Sequence, residues 1–127
     1  MMHLINYTLG FSEKLIQSKL THVEIIEFID KNYHLPELSL DFLADNFHVS
    51  PSNVSMIVKN ITGFGFREYL SKLRVEKASY LLRHSEQSIQ DICESCGFNS
   101  TKTFYRIFKN ATNVTPKKYR QDLRKYS

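Results

Sequence analysis

A chain of 127 residues has room for one domain, or for two very small ones sharing a core, and its 42% hydrophobic content is enough to build one. Four Gly and three Pro are too few for a turn-rich all-β protein, so the composition points to helices. The charge is uneven. Residues 1–100 carry 9 Lys+Arg against 12 Asp+Glu (net −3), whereas residues 101–127 carry 8 against Asp122 alone (net +7), which points to an anionic partner met by one surface.

In chain order, residues 1–20 give the weakest pattern and are expected to form an N-terminal extension with a short helix from Ser12 to Leu20. Thr21-His-Val-Glu24 has the form of a capping box, with Ile25, Ile26, Ile29 and Tyr33 on one face after it, so a second helix is expected over 22–33. Ser39 opens the next helix, with Leu40, Leu43, Ala44 and Phe47 at helical spacing. After a break at His48-Val49, Ser50-Pro51 supplies an N-cap and a first-turn proline. The helix that follows carries Val54, Ile57, Val58 and Ile61 inward and stops near Gly63. Two short helices joined by so brief a turn form a helix-turn-helix.

A long helix is expected from Phe66 to His84. Phe66, Tyr69, Leu70, Leu73, Ala78, Leu81 and Leu82 form its apolar stripe, and Arg67, Glu68, Lys72, Arg74, Glu76, Lys77 and Arg83 its charged side. The pattern then restarts. Ser88 caps a helix with Ile89, Ile92, Cys93 and Cys96 inward, Gly97-Phe98-Asn99 turns, and Ser100 caps a helix carrying Phe104, Ile107 and Phe108. Asn113 is expected to end that helix in the left-handed conformation, and Thr115-Pro116 to start a last one with Tyr119 and Leu123.

The two units repeat at an offset of 50. Lys59-Asn60-Ile-Thr62 returns as Lys109-Asn110-Ala-Thr112, Ser50 as Ser100 and Tyr69 as Tyr119. The preceding helices align at 49, because the second turn is one residue longer. Such self-similarity means one supersecondary unit used twice. The fold expected is all-α, about seven helices, with a first helix-turn-helix subdomain at 21–64, a linker helix at 65–85 and a second subdomain at 86–127.

A helix fits the major groove, and the second helix of such a unit is the natural reader. On the first reader Ser52, Asn53, Ser55, Met56 and Lys59 are expected to face outward; on the second, Thr101, Lys102, Tyr105, Arg106 and Lys109. Ser50 and Ser100 can present hydroxyls and helix N-termini to phosphates. Lys117, Lys118 and Arg120 are expected to extend the basic surface. Double-stranded DNA is the expected partner, read in two successive major-groove segments about 34 Å apart.

Other classes fit less well. No nucleophile, base and orienter group together and no phosphate-binding glycine loop occurs, so an enzyme is not expected, nor is a cofactor. Cys93-x-x-Cys96 lacks a second pair to complete a four-ligand zinc site and reads as core, with a redox-sensitive pair as the alternative. The N-terminus has no signal-peptide pattern and no run approaches the roughly 18 apolar residues of a membrane span, so the cytoplasm (nucleoid) is expected and a membrane partner is not. A helical protein-interaction module that modulates another regulator is the alternative function; it has no need of the C-terminal charge.

Residues 21–120 resemble the DNA-binding domain of the AraC/XylS family of bacterial transcription regulators. The match runs through Ile89-Gln-Asp-Ile-Cys-Glu-Ser-Cys-Gly97-Phe98, Thr103-Phe104-Tyr-Arg106-Ile-Phe108-Lys109 and Val114-Thr115-Pro116-Lys-Lys-Tyr119-Arg120, with Leu73-Arg74-x-Glu76-Lys77-Ala78 in the first half. The family usually has Ala at Cys93, Phe at Val58 and Gly at Asn113. The resemblance implies two helix-turn-helix subdomains on a central helix, binding to promoter DNA, and activation through contact with RNA polymerase.

Overall fold

In the computed structural model, the backbone of residues 2–125 and the side chains of residues 12–124 are described. The described residues form seven helices and no strand: α1 (Met2–Asn32), α2 (Leu40–Phe47), α3 (Pro51–Thr62), α4 (Phe66–His84), α5 (Ile89–Ser95), α6 (Thr101–Thr112) and α7 (Pro116–Lys125). The all-α expectation and the two helix-turn-helix units, α2–α3 and α5–α6, hold.

The start of the chain differs from expectation. There is one helix through Asn32, with no break at Thr21. Thr21 does not cap; its hydroxyl donates back to the Gln17 carbonyl at 2.9 Å. A Thr-x-x-Glu sequence specifies a cap only where the preceding residues leave the helix, and here they do not.

Elsewhere the local signals act as expected. The hydroxyls of Ser39, Ser50, Ser88 and Ser100 each accept the backbone N–H three residues on, at 3.0, 3.2, 3.0 and 3.2 Å. Each thereby satisfies one of the first-turn donors that a helix leaves open. Gly63 and Asn113 end the readers in left-handed conformations with φ of 81° and 70°.

The repeat reaches individual hydrogen bonds. Thr62 and Thr112 each donate to the carbonyl four residues back, Val58 at 2.7 Å and Phe108 at 2.8 Å. Each also accepts the N–H two residues ahead, from Phe64 at 3.1 Å and Val114 at 3.4 Å. At the offset of 49, the Val49 N–H reaches the Ala44 carbonyl and the Phe98 N–H the Cys93 carbonyl, both at 3.1 Å.

Two cores result. Ile25, Ile29, Leu38, Leu43, Val54, Ile57 and Val58 bury together with Phe66 and Leu70 of α4. Ile92, Cys93, Cys96, Phe98, Phe104 and Phe108 bury together with Val75, Ala78, Leu81 and Leu82 of the same helix. The central helix thus changes core between Leu70 and Val75. Ile61 and Leu123, expected inward, are 49% and 37% exposed. Each lies in the last turns of its helix, where the apolar spacing continues beyond the neighbours that could cover it.

Two arginines expected on the charged surface are built into the interior edge instead. Arg74 donates through Nε to the Tyr33 carbonyl and through Nη2 to the Leu35 carbonyl, both at 2.8 Å. Arg120 donates to the Leu82, Gln87 and Ser85 carbonyls at 3.3, 2.6 and 3.3 Å. A guanidinium presents several donors in a fixed fork, which suits it to gathering carbonyls from a chain segment that has left its helix.

Candidate nucleic-acid interface

α3 and α6 are related residue for residue, so their outward faces can be compared position by position. Ser52, Asn53 and Met56 of α3 are exposed and Ser55 is half-buried. Their counterparts in α6 are Lys102, Thr103, Arg106 and Tyr105, of which Lys102 and Arg106 are exposed and Thr103 and Tyr105 half-buried. Thr101 at the start of α6 is half-buried, where α3 has the exposed Pro51. The inward sets are separate from these: Val54, Ile57 and Val58 in α3, Phe104 and Phe108 in α6. Each helix therefore offers one polar face, opposite the face that fixes it to its core.

The two faces differ in charge and in freedom. Lys59 folds back, its ammonium donating to the Gly63 carbonyl at 3.1 Å, so it complements the end of its own helix. In α6 the Ser100 hydroxyl donates to the Thr103 hydroxyl at 3.0 Å while accepting the Thr103 N–H. Ser50 and Ser100 are thus engaged as caps, and both remain exposed at the start of a reader.

Arg67, expected only on the charged side of α4, is placed near the first helix-turn-helix. It lines a surface concavity together with Ser39, Asp41 and Pro51, which brings it beside the N-terminus of the first reader. A signal for it exists in the repeat: Arg67 lies 50 positions before Lys117, at the same place in the helix after a reader. Lys117 and Lys118 are exposed at the start of α7, and Lys118 pairs with Asp122 at 3.1 Å.

The cysteines belong to the core. Cys93 is 2% and Cys96 0% exposed, and they are not joined. Burial pushes the Cys96 thiol up to about 11, against the opposing pull of Lys77. Burial likewise raises Cys93. The thiolate is the reactive form, so both are expected to be inert in the folded protein. A colorimetric thiol reagent should label them at the rate of unfolding and not faster. The same shifts set a pH dependence. Folded values above the unfolded one give stability that is complete below about pH 9 and lost as pH rises toward 11.

Among the described residues no helix is long and apolar enough to cross a membrane.

This geometry has counterparts. The helix-turn-helix domain family matches residues 43–122. The transcriptional activator RhaS of Escherichia coli is 36% identical over 91 residues, which are 72% of this chain and 33% of RhaS. Among solved structures, the C-terminal domain of the response regulator AraT from Geobacillus stearothermophilus superposes with a TM-score of 0.77 at 32% identity, covering 80% of this chain and 84% of that one. The DNA-binding domain of AdpA, solved with a target DNA, shares the fold with a TM-score of 0.77 at 23% identity, covering 83% and 94%. The chain belongs to the AraC/XylS-type helix-turn-helix family of DNA-binding transcription regulators. It spans about a third of the length of the RhaS activators it matches.

Proposed function

We propose that this chain binds promoter DNA sequence-specifically with α3 and α6 in two successive major-groove segments, and that it activates transcription through contact with RNA polymerase. The observation that carries this reading is the repeat itself: two reader helices with matching caps, matching ends and one polar face each, on a single connecting helix. The 19 residues of α4 make a rod of roughly 28 Å, close to the advance of one DNA turn. The working units are residues 21–64 and 86–127, joined by 65–85, and the place of action is the cytoplasm, on the nucleoid.

Within the interface the second reader supplies most of the affinity. Lys102, Arg106 and Lys109 of α6 suit guanine edges and phosphates; Thr101 and Tyr105 suit the thymine methyl. Ser52, Asn53, Ser55 and Met56 of α3 offer hydrogen bonds and apolar contact without charge, and Lys59 adds a cation only by leaving the Gly63 carbonyl. Ser50, Ser100, Arg67 and Lys117 meet phosphates and hold the register. At equivalent positions, Arg106→Ala should cost roughly 1–3 kcal/mol of binding and relax specificity at one base pair, while Met56→Ala should cost much less. Fluorescence anisotropy titrations on a selected duplex and its single-base variants would measure both. Equal losses would refute the asymmetry, and no loss from either would refute base reading by these faces.

A further inference from the structure

Arg74 stands where α4 passes from the first core to the second, between Leu70 and Val75. Its guanidinium holds two carbonyls of the loop between α1 and α2, those of Tyr33 and Leu35. The same guanidinium carbon lies 6.0 Å from the centre of the Phe98 ring. Phe98 in turn lies 4.8 Å, ring to ring, from Phe104 of the second reader. A connected path therefore runs from the first subdomain's loop, through one arginine, to the residue that seats α6.

Gly97 lies at the same junction. A Cβ on it would stand 2.8 Å from the Tyr33 carbonyl oxygen and 2.9 Å from the carbonyl carbon and oxygen of His34. These are backbone atoms and cannot turn aside. Its φ of 89° lies beyond the left-handed well in which the equivalent turn residue of the first unit, His48, carries a side chain at φ of 56°, so backbone strain adds to the contact. The second turn is thus pressed against the backbone of the first subdomain.

We infer that Arg74 and Gly97 form a clamp that fixes the angle between the two readers, and so determines which spacing of half-sites the protein accepts. Without the clamp the angle between the subdomains would be held less firmly, and binding of one reader would do less to present the other. Arg74 is thus a positioning residue for specificity, one that need not touch DNA. The inference rests on the bipartite reading proposed above.

The test is a spacing series on the duplex recovered by selection from a random pool. The second half-site is shifted by one to five base pairs, five being about half a helical turn. The wild-type protein should lose about 100-fold in affinity at the half-turn shift, since its second reader then faces away from its half-site. Arg74→Met, which keeps the apolar stem, and Gly97→Ala should each reduce that ratio by about tenfold or more, chiefly by weakening the in-phase complex. A variant with one subdomain unfolded would also lower the ratio, so hydrogen exchange of the α3 and α6 amides is measured in each variant, and a lowered ratio that accompanies lost protection of either helix overturns the clamp. Wild-type ratios in both variants would overturn the clamp. A wild-type protein indifferent to spacing would overturn the bipartite reading and the clamp with it.

Discussion

Replacing Phe104 by Ala is expected to destabilise the second subdomain by about 3–5 kcal/mol. Phe104 is fully buried, packed 4.8 Å from the Phe98 ring and 5.8 Å from that of Phe108. Its removal opens a cavity at the point where α6 meets its core, against a total stability of the order of 5–15 kcal/mol for a domain. Because the first core closes without it, the damage should be uneven. Native-state hydrogen exchange should show the amides of α6 losing protection while those of α3 retain theirs. Equal losses in both helices would mean that the two cores unfold as a single unit.

Arg120→Ala is expected to cost about 2–3 kcal/mol of stability, since it leaves the carbonyls of Leu82, Ser85 and Gln87 without their charged donor. Lys117→Ala, three residues earlier in the same basic stretch, should change stability by no more than about 0.5 kcal/mol. Its expected effect falls instead on DNA, where losing a phosphate contact reduces the salt slope by about 1. Urea unfolding and affinity measured against salt would separate the two. A full-strength Arg120→Ala fold with a reduced salt slope would return that residue to the surface role its sequence position implies.

These arginines show where sequence reading stops. Caps, turns and apolar spacing are local, and a serine three residues ahead of its donor can be read directly; so can the return of Lys59-Asn60-Ile-Thr62 as Lys109-Asn110-Ala-Thr112. The repeat makes the fold and both polar faces legible in the sequence itself. The partners of Arg74 and Arg120 are main-chain carbonyls 33 to 41 positions away, which carry no residue type to recognise. From sequence alone, a helical arginine in a charge-rich stretch therefore looks solvated. Thr21 misleads for the opposite reason: its local signal is real but degenerate, since a threonine hydroxyl serves a helix interior by back-bonding as readily as it serves a helix start. The charge difference between the readers is legible. The engagement of Lys59 with the Gly63 carbonyl is not, because it depends on where the left-handed cap places that oxygen.

The chain spans about a third of the length of the activators it matches, and the DNA reading by α3 and α6 can be tested on it directly. The decisive measurement is selection of bound duplexes from a randomised pool, with the recovered site footprinted and its affinity followed against salt concentration. Two readers on one connecting helix should protect two adjacent major-groove segments on one face of the duplex, centred one helical turn apart, with affinity falling steeply as salt rises. Failure to enrich any sequence, or protection of a single groove segment, would contradict this bipartite reading.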